Sequence, residues 1–179
     1  MRINAIVCVN QKNAIGLKNE LLYNIPNDLA NFKRLTDGKI VIVGKNTFES
    51  LPKRPLPNRT TIIVCDDENY TPSFNAAEEV KEDVFVVSDI MEAISTARTL
   101  IDENDDEDVF VIGGAQLYAS FINSGLVNRV YMTEVMLDDD GDTFFPNIKE
   151  SWVTRFKTEV LPITDKNNVP YRYLILEPY

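Results

Sequence analysis

The sequence predicts an α/β fold built on a central, mostly parallel mixed sheet. Three observations support this. Short runs rich in Ile and Val alternate with helical stretches from residue 3 to about residue 122. Beyond that point the pattern changes to strand-like segments with alternating polarity. Alternation of the first kind gives parallel strands covered by helices, and the tail adds an antiparallel pair at one edge. Finally, no repeat, linker or composition break divides the 179 residues. The expectation is one domain over residues 1–179, with an antiparallel C-terminal strand pair and about four flanking helices.

The elements follow in order. "INAIVCV" (3–9) is a buried strand, and a polar loop containing Gly16 (10–20) leads to a helix opening near Pro26. "KIVIVG" (39–44) is a second strand, followed by the short helical "KNTFESL". A proline-rich connection, "LPKRPLPN", reaches a third strand, "RTTIIVC" (59–65). "DVFVVSD" (83–89) feeds an amphipathic helix with Ile90, Ala93, Ile94, Ala97, Leu100 and Ile101 on one face, and Asp89 with Glu92 offers a capping box. "DENDDED" (102–108) reads as a solvated loop whose spacing fits no calcium site. "DVFVIGGAQLYASFI" (108–122) is strand, double glycine and helix. "RVYMTEVML" (129–137), "WVTRFKTEV" (152–160) and "YRYLILE" (171–177) complete the strands, with 161–170 as the turn of the last hairpin.

Composition narrows the chemistry. The formal net charge is −10, which argues against nucleic acid or an anionic membrane as partner. "MRINAIVCVN" is too short for a membrane span or signal segment, so a cytoplasmic setting is expected. There is no histidine, which excludes Ser-His-Asp and Cys-His catalysis and most zinc sites, so no metal is expected. Cys8 and Cys65 each end an apolar run and read as small buried hydrophobes. Reactivity must then come from carboxylates or a bound cofactor.

Two features suggest where such a cofactor and its substrate sit. Gly44 and the pair Gly113-Gly114 each end a strand and open a helix, presenting free N–H groups and the positive end of a helix dipole. Two such turns in one parallel sheet suit a diphosphate or dinucleotide, although neither G-x-G-x-x-G nor G-x-x-x-x-G-K is present. In "NIPNDLANFKRL", Asp28 stands four residues before Phe32 and seven before Leu35, in line with two apolar side chains. A helix-start acid needs no ligand, but a carboxylate on an apolar face needs a partner.

In order and combination these blocks resemble the dihydrofolate reductase family. The resemblance runs from "AIVCVNQKNAIGLKNELLYNIPNDLANFKRLT" through "VIVGKNTFESL", "RPLPNRTTIIV", "VFVIGGAQLY" and "VYMTEV" to "GDTFFP", residues 5–146. It implies NADPH-dependent reduction of dihydrofolate to tetrahydrofolate, by hydride transfer from nicotinamide C4 to pterin C6 and protonation at N5. A pterin pocket would be lined by Ile6, Val7, Leu29, Phe32, Leu51, Leu56 and Ile112. Asp28 would pair with the pterin N3–H and 2-amino group, supported by Thr133, and Arg59 would hold the glutamyl carboxylate. Leu21 and Tyr23 join Asp28 in the catalytic group, the tyrosine hydroxyl bonding the water that protonates N5.

For the cofactor, the resemblance implies a nicotinamide stacked near Ile15 and Gly16, under a lid spanning about residues 10–24, with Val7, Ile112 and Thr143 also among the cofactor-binding residues. The phosphates would meet Gly44, Lys45, Asn46 and Thr47 on one turn, and Gly113 to Tyr118 (through Ala115, Gln116 and Leu117) on the other. Cys65 and Asp66 would border the adenosine end, and the glycine pair would carry a cis peptide. Three departures stand out. Leu22-Tyr23 replaces Pro-Trp, Lys45 replaces arginine, and Asp66 and Gln116 replace a hydroxyl and a basic residue near the 2′-phosphate. Asp66 suits a free ribose hydroxyl, so NADH is the alternative to NADPH. A monomer with small-molecule ligands alone is expected. A reductase of a related pyrimidine or pterin ring, and a non-catalytic folate- or nucleotide-binding module, are the rival readings.

Overall fold

The computed structural model describes residues 1–75, 83–102, 107–148, 150–164 and 168–179. The first half of the chain gives β1 (Arg2–Val9), β2 (Ala14–Leu17), β3 (Glu20–Leu21), α1 (Pro26–Thr36), β4 (Ile40–Gly44), α2 (Lys45–Ser50), β5 (Thr60–Val64) and β6 (Val84–Val87). The second half gives α3 (Ile90–Leu100), β7 (Asp108–Val111), α4 (Ala115–Asn123), β8 (Arg129–Val135), β9 (Thr143–Phe144), β10 (Trp152–Lys157) and β11 (Tyr171–Pro178). Eight strands form one sheet in the order β10-β11-β8-β1-β7-β4-β5-β6. Strands β8 through β6 in that order run parallel, and β11 and β10 add the antiparallel edge.

Burial explains the continuous apolar runs. β4 is buried at all four of its Ile and Val positions, because helices cover both faces of the sheet. One face packs Ile3, Ala5, Val7 and Val9 of β1 against Ala93, Ile94 and Ala97 of α3 and Leu117 and Phe121 of α4. On the other, Phe48 of α2 packs on Val43 and Ile63, and Ile25 at the start of α1 packs on Val135 and Tyr171. α3 opens as its sequence implies: Asp89 accepts from the Met91 and Glu92 amides. The Glu92 carboxylate, however, reaches back to Ser88 rather than to Asp89 itself. Leu100, expected on the apolar face of α3, is instead 42% exposed in the last turn, while Ile90 and Ile101 pack partly against the core.

Two further expectations need correction. The loop over 10–20 contains a hairpin, β2 with β3, and β9 joins it to make a second, three-stranded sheet. Its two-residue turn places Lys18 and Asn19 at φ +52° and +65°, the geometry of a type I′ hairpin. Lys-Asn lacks the Asn-Gly signature, so the strands went unmarked in the sequence. The cysteines are also not fully buried: both are half-buried, with Cys8 packed against the Ile25, Val135 and Tyr171 cluster. Part of the acidic run (103–106) and of the last turn (165–167) falls outside the described residues.

The β8–β11 pairing is held in register by charge. Arg172 and Glu134 are direct cross-strand partners, joined by an ion pair of 2.6 Å, with only 10% of the Glu134 side chain exposed. Removing the arginine leaves a nearly buried carboxylate unpaired. Arg172→Ala should therefore destabilise the protein by roughly 1–3 kcal/mol, read as a lowered midpoint in urea unfolding, whereas Arg155→Ala at an exposed edge should cost well under ~1 kcal/mol.

Candidate active site

At the C-terminal ends of the parallel strands the sheet opens into a cleft of about 1790 Å³. An ordinary small-molecule site holds roughly 300–1,000 Å³, so this one has room for two ligands side by side. It lies where chain order reverses: β7 is inserted between β1 and β4, which is the ligand-binding place of open α/β sheets. Every site residue expected from the sequence lines it except Thr133, which stands behind Asp28.

Asp28 is in the first turn of α1, and the Thr133 hydroxyl of β8 donates to its Oδ1. Two opposing effects act on such a carboxylate: burial favours the neutral acid, and helix-end dipoles favour the anion. Burial prevails. The Asp28 pKa is raised above the usual carboxylate range by desolvation, and the Thr133 hydrogen bond offsets it only in part. α1 is also not the core helix its pattern suggests. Phe32 and Leu35 are half-buried, Leu29 is 41% exposed, and only Thr36 is fully buried. The apolar stripe of α1 faces the cleft at Leu29 and Phe32, opposite Leu51 and Leu56 from the α2 side.

Arg59 is not the exposed strand-start arginine that its position alone suggests. It is 6% exposed, donates to the Thr36 hydroxyl at 2.8 Å and to the Lys33 carbonyl at 3.3 Å, and stacks over the Phe32 ring. No carboxylate among the described residues forms an ion pair with it, and burial lowers its pKa. A buried guanidinium bordering a cleft with only neutral partners is suited to a planar carboxylate.

The glycine turns fit a dinucleotide. Gly44 caps α2 and Gly114 caps α4, neither with a side-chain hydrogen bond, so their first N–H groups remain open toward the cleft. The two turns touch: the Gly44 amide donates to the Gly113 carbonyl at 2.7 Å. A Cβ at Gly114 would meet Thr47 Oγ1 at 2.8 Å, and Gly113 sits at φ +120°, where only glycine is comfortable. The Gly113-Gly114 peptide is cis, as the resemblance implies. Around this seat, Lys45 reaches Asp67 at 3.4 Å and lies over the Tyr70 ring, Asn46 and Gln116 are exposed, and Cys65 and exposed Asp66 end β5 at the rim. Leu117 and Tyr118 are buried, and the Tyr118 hydroxyl donates to the Ile6 carbonyl at 2.7 Å, tying the α4 start to β1. Ile6, Val7, Ile112 and Ala115 form the floor between them.

Ile15 and Gly16 on β2, Leu21 on β3 and Thr143 on β9 close the cleft from the lid side, Leu21 being 71% exposed. Tyr23 also lines the cleft, but its hydroxyl is engaged elsewhere. It donates to Asp139 Oδ2 at 2.7 Å and lies 3.4 Å from Asn10 Nδ2. The expected bond from this hydroxyl to a water in the cleft competes with that pairing. Burial and then Asp139 push its pKa up to about 12. The sequence reading missed Cys8 and the turn Ser88–Ile90 as lining residues. "SDI" marks a third strand-to-helix switch, and the absence of a glycine there hid it.

A parallel-sheet cleft with two glycine-led helix starts and one desolvated carboxylate defines a dinucleotide-dependent enzyme of the α/β class. The family model described as dihydrofolate reductase matches residues 2–178. The dihydrofolate reductase of Bacillus subtilis is 34% identical over 175 residues, covering 98% of this chain and 94% of that protein. That of Haemophilus influenzae is 32% identical, with 98% of each chain covered. Among solved structures, a dihydrofolate reductase from Enterococcus faecalis complexed with NADP(H) and RAB-propyl superposes with a TM-score of 0.81 at 26% identity, covering 99% of this chain and 96% of that one. The chain belongs to the dihydrofolate reductase family, whose members are NADPH-dependent oxidoreductases.

The Asp28 shift has a consequence for stability. A carboxyl whose folded pKa exceeds its unfolded one stabilises the fold least when ionised: stability is full below the unfolded value and is lost as pH rises through the folded one. Asparagine removes that penalty. Asp28→Asn should melt higher than wild type at pH 7–8, with the gain shrinking toward pH 4, as measured by thermal unfolding across that range.

Proposed function

We propose that this chain, as a single domain over residues 1–179, reduces 7,8-dihydrofolate to 5,6,7,8-tetrahydrofolate with NADPH, in support of one-carbon and thymidylate metabolism. Asp28 is the observation that carries the reading: a desolvated carboxylate with one hydroxyl donor, open toward an apolar slot. The pterin N3–H and 2-amino group are the paired donors that such a carboxylate lacks. Leu29, Phe32, Leu51 and Leu56 form the apolar walls on either side of the ring. Arg59 takes the glutamyl carboxylate at the outer end.

NADPH, when bound, supplies the hydride that passes from nicotinamide C4 to pterin C6. The residues at hand fit it: the open amides of the two capping glycines receive its phosphates, and Lys45 provides a point charge at the edge of that seat. Gly16, Thr143 and Ile15 border the nicotinamide end, where β2 closes over the cleft. The protein aligns the two rings and excludes water. Asp28 raises the basicity of the pterin through its charge, and the proton for N5 comes from solvent admitted beside Leu21 and Tyr23. Asp66 and Asp67 near Lys45 weaken its hold on a 2′-phosphate, so NADH deserves comparison, with NADPH expected to give the lower KM. Among the described residues no helix is long and apolar enough to cross a membrane; a cytoplasmic monomer is the setting proposed.

Loss of NADPH absorbance on mixing with dihydrofolate tests the activity, and its absence would favour a reductase of a related ring or a binding module. Asp28→Asn should remain folded and cut turnover by about tenfold or more at neutral pH, the factor that ~1.4 kcal/mol of transition-state stabilisation represents. Arg59→Ala should raise the KM for dihydrofolate by about tenfold or more with a smaller change in kcat, because the glutamyl end is remote from the reacting atoms.

A further inference from the structure

We propose that Tyr173 is a positioning residue for Asp28: its hydroxyl, set beside that of Tyr171, forms the polar backing of the Thr133–Asp28 pair and governs how readily the carboxylate holds its charge. Strand register carries the argument. Cys8 of β1 is opposite Thr133 of β8, and Thr133 is opposite Tyr173 of β11. Directly opposed residues in neighbouring strands project to the same face of a sheet. Thiol, hydroxyl and phenol therefore form one row across three strands, on the face where the Thr133 hydroxyl meets Asp28 of α1.

Tyr171 precedes Tyr173 by two residues and shares that face. The two rings meet edge to face with centroids 5.4 Å apart. Tyr171 is fully buried, and its hydroxyl makes no hydrogen bond of ordinary geometry among the described residues. The buried phenol oxygen of Tyr171, with the half-buried Tyr173 beside it, is unfavourable where phenylalanine would pack equally well, unless something nearby uses it. Asp28 is the group that can. It is desolvated, with one hydroxyl donor and no cation acting on it. The neighbouring phenols on other elements are already engaged, Tyr118 with the Ile6 carbonyl and Tyr23 with Asp139.

The electrostatics agree with this placement. Burial raises Tyr173 most, then the Tyr171 hydroxyl, and the charge of Asp28 adds to it. Burial also raises Cys8 and Tyr118, and the Asp28 charge contributes to both, so the same carboxylate acts on these groups and on Tyr173. At neutral pH both phenols keep their protons and act on Asp28 as dipoles. A hydroxyl dipole near an anion favours the charged form, and deleting it favours the neutral acid.

The proposal rests on Asp28 being the pterin-binding carboxylate, and the test separates the two claims. The full-length protein with NADP⁺ bound is labelled with ¹³C at the aspartate carboxyls, and Asp28→Asn identifies the Asp28 resonance. In Tyr173→Phe the Asp28 titration should move upward by about half a pH unit or more, and Tyr171→Phe should move it in the same direction. The pH profile of kcat/KM for dihydrofolate should move with it, while circular dichroism stays wild type. An Asp28 titration that stays put in folded Tyr173→Phe overturns the proposal. If the titration moves while Asp28→Asn retains full turnover, the positioning role of Tyr173 stands and the catalytic reading of Asp28 falls.

Discussion

A carboxylate taken out of water and given a single hydroxyl is the constraint around which this molecule is organised. Asp28 can stay in place only because α1 starts where Thr133 of β8 can donate to it. β8 in turn is held between β1 and β11, and the nearly buried Glu134–Arg172 pair resists any slip of that register. A shift of one residue would turn Thr133 to the opposite face and leave Asp28 with no donor at all. Stability is given up at this point, since burial of the carboxyl works against its charge.

The other half of the cleft depends on backbone rather than side chains. Gly44 and Gly113 meet through a main-chain hydrogen bond across adjacent strand ends, and the space beside Gly114 is already taken by Thr47. Helices α2 and α4 therefore begin side by side with uncapped amides facing the same opening. Nothing in that arrangement requires a charged residue, which agrees with an acidic protein that binds a polyanion. Lys45 is the exception, and Asp67 partly neutralises it.

The β2–β3 hairpin beside the cleft is fastened from the far side. Asn10 is buried and accepts from the Lys12 and Ala14 amides while donating to the Asp139 carbonyl. Lys12 pairs with Asp140, Tyr23 with Asp139, and the Lys18 amide with Asp142. Asp139, Asp140 and Asp142 are thus the partners of the residues that flank β2 and β3 and of the turn between them. The hairpin and β9 share one small sheet, so displacement of either must disturb the other.

Much of this was legible in the sequence, because strand and helix periods, glycine turns and block order are local. The strand cores, the α3 cap, the glycine seat and the Asp28 position all follow from spacing over a few residues. Other features depend on residues far apart in the chain. Type I′ geometry at Lys18-Asn19 carries no glycine signature, and the hairpin is completed by β9, which pairs with β2 from a distant part of the chain. α1 reads as a core helix, but it is a cleft wall because nothing packs over its outer stripe. Nothing local to Arg59 marks it as buried, and it is covered by Phe32 and Thr36, 23 residues or more away in the chain. The sequence alone determined which elements form and which residue types can do the chemistry. Only the tertiary structure decided that Asp28 would be desolvated and its pKa raised, because desolvation is a property of the surroundings and not of the residue.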